Sequence, residues 1–248
     1  MPEQSEPLTV DDGSDPVERI LVVTAHPDDV DFGAAGSVAN WTDRGIEVSY
    51  CIATDGEAGG SDLSVPRTEM AAIRREEQLE AARIVGVTDV TFLGFADGRV
   101  AADLELRAAV TRVIRMVRPD RVVCQSPDRN WERIYGSHPD HLATGEATTC
   151  AVYPDARNPF AFPELLAEGL EPHTVPELWV MATARANRVV DATDTYGRKL
   201  AALRSHRSQV GDGEHLDELL RGWMTGTALA AGLPEGRLAE AFHVVNTA

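Results

Sequence analysis

Two hydrophobic periods alternate along the chain. Residues 20–25 read ILVVTA, an unbroken apolar and β-branched run that marks a strand covered on both faces. Helical character follows over 33–45, then a second strand over 47–54 (EVSYCIAT). A long helix over 68–85 is rich in Ala, Glu and Arg and stops near Gly86. Residues 89–93 form a third strand, 103–117 a helix closed by Pro119, and 121–125 (RVVCQ) a fourth strand. The pattern then predicts a helix from His141 to about Val152 and short strands over 177–182 and 188–191. Helices near 195–208 and 216–231 and an edge element over 240–245 complete it. Strands alternating with helices predict an α/β fold, a mostly parallel sheet with helices on both faces. The Pro-rich stretch 154–173 has few periodic signals and reads as a long covering or functional loop. In such sheets, sites gather beyond the carboxyl ends of the strands.

Composition narrows the function without naming it. The chain has 248 residues, of which 23 are Lys or Arg and 40 are Asp or Glu, for a formal charge of −17. That balance argues against binding nucleic acid or an anionic membrane surface. Six of the acidic residues (Glu3, Glu6, Asp11, Asp12, Asp15 and Glu18) lie in 1–18, which contains no basic residue. We expect that segment to be a disordered acidic tail and 19–248 to be a single domain. The three cysteines, Cys51, Cys124 and Cys150, are widely spaced, so neither a thiolate zinc site nor a disulfide framework is expected. With no signal-peptide pattern at the start, the expectation is a cytoplasmic protein.

The chemistry concentrates in two short segments. Ala25-His26-Pro27-Asp28-Asp29 follows the first strand, and His138-Pro139-Asp140-His141 follows the fourth. His26 and Asp29, i and i+3 on a tight turn, can aim at one point. Imidazole nitrogen and carboxylate oxygen are the donors that zinc and similar cations accept. Asp28 lies between them and is a candidate base for a bound water. The first and fourth strands are neighbours at the switch point of such a sheet, so the two segments can meet. His26, Asp29 and His141 would then form a three-ligand site with an open position, with His138 free beside it. A lone HPD can instead be a helix cap. Two His and one carboxylate also describe a non-haem Fe2+ site, so zinc and iron both stay open.

AHPDD with the following Asp31-Phe32-Gly33-Ala34-Ala35-Gly36, together with SHPDH, resembles the PIG-L/LmbE-like family of metal-dependent N-deacetylases. TDGE at 54–57, RREEQLEAARIVG at 74–86, LGFADG at 93–98, HRSQ at 206–209 and AEAF at 239–242 extend the likeness over most of the chain. The resemblance implies a Rossmann-like fold and zinc-dependent removal of an N-acetyl group, usually from a glucosamine unit of a small amino-sugar substrate. It makes His26, Asp29 and His141 the metal ligands and Asp28 the general base. It makes His138 the group that holds the oxyanion or protonates the amine, and Asp140 an orienter of a site histidine. Arg74 and Asp97 match positions that contact sugar hydroxyls. Their other readings are a helix-surface ion pair and a turn residue. Tyr135 could donate to the carbonyl or pack under its loop, since Tyr135-Gly136-Ser137-His138 has one residue more than the family's Tyr-Gly-His. Val30 stands where the family often has Glu. His206 is read as a cap or buried polar contact, and Trp131 as a sugar-stacking wall or a buried anchor. An amidase acting on a larger acyl group and an inactive sugar-binding relative are the alternatives. The sequence leaves a homo-oligomer open.

Overall fold

The structure is a computed structural model and describes residues 8–60, 62–131, 133–211, 213 and 215–248. In chain order the elements are β1 (Thr9–Val10), β2 (Arg19–Thr24), α1 (Asp29–Asp43), β3 (Glu47–Thr54), α2 (Arg67–Ile84) and β4 (Asp89–Phe95). There follow α3 (Leu104–Val117), β5 (Arg121–Gln125), α4 (Pro139–Cys150), α5 (Pro163–Ala167), β6 (Glu177–Met181) and β7 (Arg188–Asp191). The last are α6 (Tyr196–Ser205), α7 (Arg207–Val210), α8 (Leu216–Ala230) and β8 (Ala239–Asn246). They build one eight-stranded sheet in the order β1-β7-β8-β6-β5-β2-β3-β4. Every pairing is parallel except those of β8 with β6 and β7.

Successive residues of β2 point to opposite cores, as the unbroken apolar run requires. Ile20 and Val22 pack with Ala34, Ala35 and Val38 of α1 and Ala81 and Ala82 of α2. Leu21 and Val23 pack with Leu106, Val110 and Ile114 of α3 and Ala147 of α4. Helices therefore cover both faces. β2 and β5 are neighbours, with Val22 opposite Val123, so the chain reverses its direction of travel across the sheet between them. Cys51 and Cys124 lie in the core, where burial pushes both thiols up to about 12, and no cysteine is paired. Among the described residues no helix is long and apolar enough to cross a membrane.

The structure corrects three expectations. The first seven residues of the supposed tail lie outside the described residues, but the rest of it is docked. Thr9 and Val10 pair with Arg188 and Val189, and Asp120 Oδ2 accepts from the amides of Glu18 and Arg19. An acidic count underestimates a segment whose backbone can extend a sheet. The C-terminal strand is not an edge, because β8 lies between β6 and β7 with Phe242 fully buried. The helix expected over 33–45 begins at Asp29, directly behind the first HPD segment. The stretch 154–173 does cover the fold. Buried Arg115 of α3 donates to the carbonyls of Asp155, Ala156, Asn158 and Ala161 and pins it down.

Gly33 and Gly36 let α1 approach its neighbours. A Cβ on Gly36 would lie 2.7 Å from Ala192 Cβ and 3.2 Å from Glu240 Oε1, and one on Gly33 would collide with Met181 Sδ. Gly36→Ala is expected to destabilise the protein by about 1–3 kcal/mol through overpacking, despite the better helix propensity of Ala. Urea denaturation checks this, and an unchanged midpoint would show that α1 has room to shift.

Candidate active site

The ends of three strands are tied together beneath the site. The Ala25 amide donates to Gln125 Oε1 at 2.9 Å, and its carbonyl accepts from the Thr54 amide and hydroxyl, each at 2.9 Å. The chain turns there and presents His26 with its two nitrogens facing different partners. Nδ1 lies 3.3 Å from Asp29 Oδ2 and 3.2 Å from His141 Nε2, and His141 Nε2 lies 3.0 Å from Asp29 Oδ1. Nε2 lies 3.1 Å from both Asp97 Oδ1 and Asp140 Oδ2.

These distances test the fit of a metal ion. Donors about 2.0–2.1 Å from a tetrahedral zinc stand roughly 3.3 Å apart, close to the spacing of His26 Nδ1, the Asp29 carboxylate and His141 Nε2. Asp97 and Asp140 can accept the Nε2–H of His26, and in the neutral ring that tautomer would leave the Nδ1 lone pair for a metal. Two other donor groups share His26, one with His138 and His141 and one with Asp97 and Asp140. The first needs His138, whose Nδ1 already accepts the Asp140 amide at 3.2 Å, and the second needs the nitrogen whose proton is shared with two carboxylates. His26, Asp29 and His141 also bring three donors together, with Asp29 Oδ2 accepting the His26 amide at 2.7 Å as well.

Electrostatics make the same demand. Burial pulls the His26 imidazole down, but Asp140, Asp29 and Asp97 outweigh it and push its pKa up to about 12. Against the effect of burial, His141 and His26 hold Asp29 well below the usual carboxylate range. Four carboxylates (Asp28, Asp29, Asp97 and Asp140) crowd this point, and Arg74 reaches only Asp28 among them. The raised His26 and His141 imidazoles offset part of that negative charge, and a divalent cation in place of their protons would offset it in the same way.

Asp28 sits at the turn into α1 with φ 92° and ψ −27°, a left-handed conformation that costs a non-glycine residue of order 1–3 kcal/mol. Its amide donates to Gln78 Oε1 at 2.8 Å, and Arg74 Nη2 donates to its Oδ2 at 3.2 Å. Burial and the adjacent Asp29 charge push its carboxyl up to about 7. Arg74 is not the helix-surface ion pair that was one of its two expected roles. Its guanidinium is buried and donates to the Pro27 and Gly56 carbonyls at 2.6 and 3.0 Å as well as to Asp28. It clamps the loop that carries Asp28. Asp97 is also engaged internally, with Oδ2 accepting the Ala58 amide at 2.9 Å and Oδ1 on His26. Asp140 touches His26 and accepts from the Gly98 and Val100 amides at 2.7 and 3.2 Å.

His138 stands edge-on to His26, with ring centroids 4.9 Å apart. Its Nδ1 accepts an amide proton, so the neutral ring carries its own proton on Nε2. Burial and the neighbouring His26 pull its pKa down and favour that neutral form. Tyr135 and Trp131 are not packed beneath their loop, being 66% and 80% exposed. Arg129 and Arg133 lie over their rings. The loop is bound to the site through the Gly136 carbonyl, 3.4 Å from His141 Nδ1. Gln78 was not legible as a site residue, although its place four residues after Arg74 puts both on the buried stripe of α2. His206 is a buried polar contact, 2.8 Å from Asp31 Oδ2.

Residues 21–152 match the model of the PIG-L family, described as GlcNAc-PI de-N-acetylase. That stretch is more than half of the chain and contains both HPD segments. The chain belongs to the PIG-L family. Among its relatives, the diacetylchitobiose deacetylase of Thermococcus kodakarensis is 35% identical over 234 residues, covering 92% of this chain and 84% of the relative. A probable N-acetyl-alpha-D-glucosaminyl L-malate deacetylase 2 of Bacillus subtilis is 30% identical, covering 82% and 89%. The solved N,N'-diacetylchitobiose deacetylase of Pyrococcus horikoshii superposes with a TM-score of 0.86 at 32% identity, over 94% of this PIG-L chain and 85% of that one.

Proposed function

We propose that this PIG-L protein is a zinc-dependent hydrolase that removes the N-acetyl group from an N-acetylglucosamine-type sugar. The observation that carries the reading is the convergence of His26 Nδ1, Asp29 and His141 Nε2 on one point, with the strained Asp28 carboxylate beside it. When bound there, zinc supplies a Lewis acid that polarises the acetamide carbonyl and acidifies water. Asp28 takes the proton of the attacking water as the new C–O bond forms. Nε2–H of His138 donates to the carbonyl oxygen as negative charge develops on it. The C–N bond then breaks, the amine nitrogen receives the proton held by Asp28, and acetate and the free amino sugar depart. Asp97 and Asp140 hold His26 in the tautomer that keeps Nδ1 free. Names of relatives support the substrate class, since one acts on diacetylchitobiose by its description.

The test is acetate release from N-acetylglucosamine and N,N'-diacetylchitobiose by the purified protein, with its metal content measured. Turnover that disappears with a chelator, returns with zinc and proceeds without oxygen is expected. Asp29→Ala should lose both the metal and the activity. No acetate release from either sugar at full zinc occupancy would refute the reading.

Trp131 and Tyr135 are exposed on the segment whose Gly136 carbonyl contacts His141, and we propose that they stack on the part of the substrate beyond the reacting ring. Aromatic stacking of about 0.5–1.5 kcal/mol sets the expectation for Trp131→Ala: roughly a two- to tenfold loss of kcat/KM on the disaccharide and little change on the monosaccharide. Equal losses on both would place the indole elsewhere.

A further inference from the structure

A buried chain of side chains leads from the C-terminal half of the protein to the amide of Asp28. His206 caps the end of α6 and the start of α7, and its Nε2 lies 2.8 Å from Asp31 Oδ2. The same Asp31 oxygen accepts from Gln78 Nε2 at 2.9 Å. Gln78 Oε1 in turn accepts the Asp28 amide at 2.8 Å. All three side chains are fully buried. The geometry settles which way the Gln78 amide points: Asp31 offers only an acceptor and the Asp28 N–H only a donor, so the side chain has one orientation that satisfies both. That orientation presents an acceptor to the backbone amide of Asp28, the residue with φ 92°.

We infer that Gln78, Asp31 and His206 form a positioning relay for the Asp28 carboxylate. None of the three side chains makes a hydrogen bond to the triad of donors. Their effect runs through the conformation of a single residue. Arg74 holds the Asp28 carboxylate and the Pro27 carbonyl from the same helix face, one turn earlier. The relay fixes the backbone while Arg74 fixes the side chain. Val30, at a position where the family often carries Glu, is fully buried, and the carboxylate that serves this network comes from Asp31 instead. Oδ1 of Asp31 and Nδ1 of His206 have no protein partner, so Oδ2 of Asp31 alone links Gln78 to His206, beside the Ser208–Glu77 and Lys199–α1 contacts.

The inference rests on the deacetylase reading for its kinetic arm and on structure alone for the other. Gln78→Leu removes both hydrogen bonds with little change in volume. It is expected to lower kcat on N,N'-diacetylchitobiose by about 10–100-fold, the usual cost of losing an outer supporting contact, with KM within threefold and zinc stoichiometry unchanged. His206→Leu should produce the same split, and His206→Gln, which keeps a donor for Asp31, should recover most of the loss. The double variant Gln78→Leu/His206→Leu should be no worse than either single one, because both break the same chain. In crystals of Gln78→Leu, Asp28 should leave its positive φ. An unchanged kcat, a loss matched by a fall in zinc or in folded fraction, fully additive single losses, or an Asp28 backbone that does not move would each overturn the relay. If the native protein releases no acetate, the deacetylase reading fails, and the Asp28 backbone in those crystals still decides the relay.

Discussion

Asp28→Asn is expected to lower kcat by about 10²–10⁴-fold, the range that removal of a general base produces, with zinc content unchanged. The variant is informative because the backbone favours it. Asn tolerates the left-handed region better than any other residue except glycine, so the φ of 92° at this position gives no reason for misfolding. Its carbonyl oxygen can still accept from Arg74 Nη2, which now serves the Asp28 carboxylate. The change also removes a buried negative charge beside Asp29, whose repulsion helps to hold the Asp28 carboxyl near 7. Thermal stability should therefore be equal or higher in a protein that no longer turns over, the usual trade at a catalytic position. Steady-state kinetics, metal analysis and a melting curve on one preparation check all three statements. A kcat within threefold of native at full zinc occupancy would remove Asp28 from the mechanism.

Lys199→Met should be the most destabilising single change outside the site, by about 3–5 kcal/mol, because it leaves a buried carboxylate unpaired. Lys199 Nζ lies 2.7 Å from Glu240 Oε1 and donates to the carbonyls of Asp31 and Phe32 at 2.8 and 2.7 Å. Glu240 accepts from the Gly36 and Ser37 amides and the Ser37 hydroxyl. Many buried ion pairs can be replaced together by apolar residues at little cost. This one should tolerate it less well, since Glu240 also accepts the Ser37 hydroxyl, which an apolar pair would leave buried without that partner. Lys199→Met/Glu240→Met should thus remain at least 2 kcal/mol below native in urea denaturation. Recovery to native stability would show that the Ser37 contact adds nothing.

The sheet and both HPD segments were legible because they depend on local signals. Residues 20–25 and 121–125 are apolar on both faces, and His26 and Asp29 are three residues apart on one turn. What was hidden depends on groups brought together across the fold. Nothing in the sequence says that Arg74 will meet the carbonyls of Pro27 and Gly56, since a carbonyl is common to every residue. The spacing of Arg74 and Gln78 placed them on one helix face, but whether that face looked at solvent or at Asp28 depended on where α2 lay on the sheet. His206 was correctly read as a buried polar contact, yet its partner Asp31 is 175 residues away. Trp131 illustrates the opposite case, in which a large aromatic side chain suggests burial and the loop around it leaves it exposed.

The place of β8 in the sheet has a consequence for how the molecule is made. The stretch from β2 to α4 holds every candidate catalytic residue and emerges before β6, β7 and β8. β1 and β7 join that layer only through β8, the last strand in chain order. Until residues 239–246 have been translated and have left the ribosome, the outer edge of β6 is bare and the Lys199 ammonium lacks Glu240. A nascent chain would therefore carry an almost complete catalytic constellation on an open and adhesive sheet for the time needed to make residues 182–246. Folding rate and chaperone dependence should be set by that late insertion more than by assembly of the metal site.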